Sequence, residues 1–202
     1  MGIQSVRALG WKVVALVAVS SLLAGCGINT IPTLDEQVKA AWSQVQNQYQ
    51  RRSDLIPNLV ETVKGAAKQE QATLTAVIEA RAKATSIQVD ASTLNNAEKL
   101  KQFQEAQNQL TGALSRLMVV SERYPELKSN QNFLSLQSQL EGTENRISVA
   151  RRDFILAVER YNTEIRTFPG RLWHAVMYSD LPVRPTFEAT TPDADKAPEV
   201  KF

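Results

Sequence analysis

Residues 130–168 read NQNFLSLQSQLEGTENRISVARRDFILAVERYNTEIRTF. Phe133, Leu136, Leu140, Ile147, Ala150, Phe154, Val158, Tyr161, Ile165 and Phe168 recur in it about every 3.5 residues, with polar residues between them. A strand alternates every two residues, whereas this spacing draws one apolar stripe down one side of a long α-helix. A helix with such a stripe needs other helices to cover it. Ser129 and Asn130 are suited to cap its start, and Phe168-Pro169-Gly170 to stop it.

Two further stretches carry the same period. One opens at Thr33-Leu34-Asp35-Glu36, a Thr-x-x-Glu capping box after Pro32. It continues through Leu34, Val38, Trp42, Val45 and Tyr49, then Ile56, Leu59, Val63 and Ala66, then Leu74, Val77 and Ala84. The other, about Thr93 to Arg123, carries Leu94, Ala97, Leu100, Phe103, Leu110, Leu114 and Leu117 and ends at Tyr124-Pro125. Residues 86–92 (SIQVDAS) join the two. Short connections make neighbours antiparallel, and at 1.5 Å per residue helices of 30–40 residues are roughly 45–60 Å long. The expected fold is all-α: an elongated, antiparallel up-and-down bundle of three to four long helices. The first is kinked or broken near Pro57. A start capped by Ser53 or Asp54 would give four helices, whereas the apolar phase carried across the proline favours one kinked helix, with Arg52 out of keeping in its seam.

The N-terminus is a different kind of sequence. Arg7 and Lys12 precede an apolar run from Val13 to Leu23, followed by Leu23-Ala24-Gly25-Cys26, with the only cysteine in the chain. Charged, apolar and small-residue regions in that order form a secretory signal. A cysteine at the cleavage point resembles the lipobox of bacterial lipoproteins, in which the thiol carries fatty acyl chains such as palmitate. Two alternatives stand beside it: an uncleaved signal anchor and a structural free thiol. Val13 to Ile28 holds about 16 residues, short of the roughly 20 that cross a bilayer core, and stable lipid anchoring takes more than one acyl chain. Residues 1–25 are therefore expected to be a lipoprotein signal peptide and 26–32 a linker lipidated at Cys26. Residues 33–187 are expected to form the bundle and 188–202 (EATTPDADKAPEVKF) a disordered tail. The bundle would face the periplasm or the cell exterior. In a Gram-negative envelope, Gly27 in place of an aspartate favours the outer membrane.

The signal also carries the charge excess. The chain has 23 Lys+Arg and 21 Asp+Glu, and without Arg7 and Lys12 the two balance at 21 each. No dense basic patch remains, so nucleic acid is not an expected partner. A lone cysteine gives no intrachain disulfide framework.

The run Tyr49-Gln50-Arg51-Arg52-Ser53-Asp54-Leu55-Ile56-Pro57-Asn58-Leu59-Val60-Glu61-Thr62-Val63-Lys64-Gly65 resembles the LemA family of bacterial envelope proteins. The resemblance continues at Ala80-Arg81, at Ala150-Arg151-Arg152-Asp153-Phe154, at Tyr161-Asn162 and at Phe168-Pro169, and covers most of residues 34–187. It implies an antiparallel helical bundle held at a membrane by its N-terminus, and it brings no particular enzymatic activity. Many members of that family resemble single-span inner-membrane proteins, and the lipobox-like Cys26 departs from that pattern.

Catalytic constellations are scarce. A di-iron bundle needs Glu-x-x-His on two helices, but the chain has one histidine, His174, and no such motif. One Cys and one His cannot build a zinc cluster, no Gly-rich phosphate loop occurs, and a triad on His174 would be a chance pairing. No cofactor, metal or catalytic residue is assigned. The remaining candidate is the group Arg51, Arg52, Asp54, Pro57 and Asn58. Its plain reading is an Arg51–Asp54 surface pair with Arg52 covering apolar surface by its stem. Its sharper reading is a binding surface, or a packing motif that draws Arg151, Arg152 and Asp153 from the third helix. The apolar segment 168–187 (Trp173, Met177, Tyr178, Phe187) either caps the open end of the bundle or is a docking patch. The expected function is a lipid-anchored, non-enzymatic scaffold or adaptor for other envelope proteins. The alternatives are a bundle that self-associates as a homo-oligomer and a cryptic hydrolase.

Overall fold

In the computed structural model, residues 27–90 and 94–187 are described. Among them the secondary structure is entirely helical: α1 Thr30–Ala66, α2 Gln71–Ser86, α3 Ala97–Ser121, the one-turn α4 Pro125–Lys128, α5 Gln131–Glu164 and α6 Gly170–Met177. The all-α bundle read from the periodicity is the fold. The signal segment, Cys26 and the tail 188–202 lie outside the described residues.

α5 follows the stripe that announced it. Asn130 Oδ1 accepts the backbone N–H groups of Asn132 and Phe133 at 2.9 and 3.1 Å, capping the helix as expected. Phe133, Leu140, Ile147, Phe154, Val158 and Tyr161 are buried. The last member, Phe168, is a correction. The helix stops at Glu164, Ile165 is the final inward side chain, and Phe168 is 85% exposed.

α1 differs from its reading at both ends. It begins at Thr30, three residues before the expected capping box. The Thr33 hydroxyl donates to Asn29 O at 2.7 Å inside the first turn, so it caps nothing. Pro32 falls in that turn, where a missing N–H removes no intrahelical bond. Of the two readings open at Pro57, the continuous helix holds, and the chain reverses later, through residues 67–70. α3 is shorter than its 93–123 reading. It starts at Ala97, with Asn96 Oδ1 accepting Lys99 N–H at 3.0 Å, and Leu94 is buried from the connector instead.

α1 and α5 form the long pair of the bundle, α2 turns back along α1, and α3 packs on α2. Two clusters fill the interior. The distal cluster joins Ile56, Leu59 and Val63 of α1, Leu74 and Val77 of α2, Leu110 and Leu117 of α3, and Phe133 and Leu140 of α5. α2 has 16 residues, about 24 Å of helix, and cannot reach the other half. There its place is taken by the connector, through Val89 and Leu94, and by a C-terminal strap, residues 178–187, through Phe187. Trp42 centres this proximal cluster, its ring 5.4 Å from Phe103, 5.2 Å from Phe154 and 6.0 Å from Phe187. Its indole N–H donates to Val89 O at 2.6 Å. Each such burial contributes about 2–3 kcal/mol. Residues 178–187 thus fold back on the bundle, as the first of the two readings for segment 168–187 has it, whereas Phe168, Leu172, Val176 and Met177 stay exposed.

Candidate functional site

Arg52 is the member of the candidate group that points inward. Only 1% of it is exposed. Its Nη1 donates to Thr111 Oγ1 and Glu144 Oε1, both at 2.8 Å, and its Nη2 to Gln107 Oε1 at 2.6 Å and Gln107 O at 3.3 Å. The guanidinium also lies 5.0 Å from the centre of the Tyr49 ring. One side chain of α1 therefore binds α3 and α5 at once, at the junction of the two core clusters. Burial raises the pKa of the Tyr49 hydroxyl, so the ring stays neutral beside the cation.

Arg51, Asp54, Pro57 and Asn58 are exposed on the opposite side. Asp54 accepts from Gln50 at 2.7 Å, so the expected Arg51–Asp54 pair gives way to a Gln–Asp one. Arg151 reaches Arg52 only through Tyr49, whose hydroxyl it faces, and also lies 4.4 Å over the Phe187 ring, whereas Arg152 pairs with Asp153.

Pro57 has a partner residue that the sequence did not suggest. Lacking an N–H, it leaves the carbonyl of Ser53, four residues earlier, without its helical donor. Arg81 Nε of α2 donates to that oxygen at 2.9 Å. Ala80-Arg81, one of the matches that carried the family resemblance, thereby has a structural role.

A second inward arginine was missed. Arg184, on the strap, is buried and bonds Asp35 of α1 and Asn95 of the connector. Its backbone pairs with Asn162 of α5, N–H to Oδ1 and O from Nδ2, both at 2.9 Å. Lys39 adds an ion pair to Asp35 at 2.9 Å. Burial opposes ionisation of Asp35, but the bonds from Arg184 and Lys39 outweigh it and hold its pKa below the ordinary value. Tyr161, whose hydroxyl donates to Pro182 O at 3.0 Å, is shifted up by burial. A third tie closes the distal end, where Glu70 Oε1 accepts from Arg123 and Tyr124, each at 3.0 Å.

Beside Arg52, a cleft of about 210 Å³ opens between α1, α3 and the connector. Gln46, Tyr49, Gln50, Ser53, Thr85, Gln88 and Gln107 supply its polar lining, with Asp90 as its one carboxylate. Amides and hydroxyls can bind water or another neutral polar group. A second acid, or a base beside a nucleophile, is not among its lining residues. His174 is not among them either: its Nε2 is 2.7 Å from Leu181 O, within the turn after α6. Among the described residues, no three His, Cys, Asp or Glu side chains converge as metal ligands, and no helix is long and apolar enough to cross a membrane.

Comparison with known proteins agrees with the fold. The family model described as LemA family matches residues 41–202. Magnetosome proteins MamQ 2 and MamQ 1 of Paramagnetospirillum magneticum are each 27% identical to this chain over 157 residues. Those alignments cover 70% of this chain and 58% of each relative. The chain therefore spans less than two thirds of the length of these curated relatives.

Proposed function

We propose, from the premise that this chain belongs to the LemA family, that it is a non-enzymatic bundle held at a bacterial envelope membrane by acyl chains on Cys26. There it serves as a scaffold or adaptor for other envelope proteins. The observation that carries this reading is the use made of Arg52. The most strongly placed polar group of the candidate motif is spent on α3 and α5, and the exposed side of the same motif is left to solvent. Arg184 and Glu70 are used in the same way. Inward polar groups brace the rod and do not converge on a substrate. The magnetosome naming of the relatives supports membership of a larger assembly, and the lipobox-like Leu23-Ala24-Gly25-Cys26 supports the tether.

The test is purification of the full chain from native membranes after crosslinking in place. Intact-mass analysis is expected to show Cys26 as the acylated N-terminus, and recurrent crosslinks to join the bundle to another envelope protein. An intact Met1 with unmodified Cys26 rejects the tether. A measured turnover together with an absence of recurrent crosslinks rejects the scaffold.

A further inference from the structure

Exposed apolar surface gathers at the proximal end of the rod. Among the described residues, six large apolar side chains are more than half exposed, and four of them fall within residues 168–177: Phe168 (85%), Val176 (71%), Leu172 (53%) and Met177 (51%). Leu172 and Val176 are one turn apart on α6. Phe168 stands four residues before Leu172, at the approach to that helix. The other side of α6 is engaged, with Trp173 packed against the proximal cluster and His174 facing the Leu181 carbonyl. α6 therefore has an inner face that the bundle covers and an outer face that nothing among the described residues covers.

The position of this face identifies what covers it. Gly27 lies against α6: a Cβ placed on it would sit 4.0 Å from Trp173 Nε1. Its φ of 112° is a left-handed conformation suited to glycine, so the chain turns beside the tryptophan. Cys26 is one peptide away, about 3.8 Å between Cα atoms. An acylated Cys26 and an uncleaved apolar segment both put lipid at that point. A one-residue spacer cannot hold α6 clear of a headgroup layer some 5–7 Å deep. Arg166 and Arg171, both exposed, flank the apolar face. Cations beside an apolar helix face are the pattern of a segment lying in the membrane interface.

We propose that the outer face of α6 is a membrane foot. Phe168, Leu172 and Val176 enter the acyl-chain boundary of the anchoring leaflet, and Arg166 and Arg171 meet anionic headgroups. The bundle then stands on the bilayer at a fixed angle and does not swing on its tether. This rests on the membrane tether proposed above.

The full chain is reconstituted into phosphatidylcholine/phosphatidylglycerol vesicles containing a lipid with a diazirine in its acyl chain. After illumination, adducts are mapped by peptide mass spectrometry. Adducts are expected on residues 168–177 as well as on the N-terminal segment. The double variant L172Q/V176Q is expected to lower those on 168–177 about tenfold. Its thermal midpoint should stay within a few degrees of the parent, because both side chains are exposed. Adducts on the N-terminal segment alone overturn the foot and leave the tether standing. Their absence from both segments overturns the tether and the foot with it.

Discussion

Arg52 stands where the apolar phase of α1 calls for an aliphatic side chain. The buried series Ile31, Asp35, Val38, Trp42, Val45, Tyr49, Arg52, Ile56, Leu59, Val63 advances by alternating fours and threes. Two of its members are charged. Arg52 is an anomaly in the seam as the sequence shows it, and the anomaly is the brace. Asp35 is harder to see, because Leu34 beside it fits an apolar seam and Asp35 sits inside a Thr-x-x-Glu box. Arg51, Asp54 and Asn58 share a motif with Arg52 but fall off the seam, so adjacency in sequence grouped residues that the helix separates. Truncation by R52A is expected to cost about 2–4 kcal/mol, because Gln107 and Thr111 lose their partner inside the bundle. R52M, which keeps most of the volume but removes the same hydrogen bonds, is expected to lose nearly as much. Urea unfolding at constant slope measures both, and an R52M variant as stable as the parent would count against the brace.

At the scale of elements, the question is how α1 passes through a proline. An interior proline costs about 3 kcal/mol when its effects go uncompensated. Here the donor removed from α1 is replaced from α2 by Arg81. R81A is expected to lose about 1–3 kcal/mol, the cost of a carbonyl left without a partner. In a P57A background, where residue 57 regains its N–H, the same substitution should cost clearly less. A double-mutant cycle reads the coupling, and a cycle that closes additively rejects the compensation. Neither this contact nor the reversal after α1 was legible beforehand. Ala67-Lys68-Gln69-Glu70 contains no helix breaker, and the apolar phase resumes in α2 as though no turn intervened. The cap of α5 was easier to read, because Asn130 acts within three residues of itself. The Arg184–Asp35 pair spans 149 positions, and no local rule reaches that far.

For the whole molecule, periodicity specified a rod, but which level of the rod each tie would brace depended on tertiary contacts. Glu70 closes the distal end, Arg52 the middle and Arg184 with Asp35 the proximal end. The proximal tie is sensitive to acid. Because the folded pKa of Asp35 lies below its unfolded value of about 3.9, its contribution is complete above that value. It is lost as pH falls through the folded one. The stability difference between parent and D35N is therefore expected to be constant near neutrality and to shrink below about pH 4. Urea midpoints between pH 7 and 3 measure it, and a gap that widens on acidification contradicts the assignment.

The strap has a mechanical consequence. Phe187 is fastened beside Trp42, and Gly27 lies at the foot of the same helix. On the proposed tether, a pull between Phe187 and the bilayer is therefore borne within the lowest third of α1, on the bonds that Arg184 makes to Asn162 and Asp35.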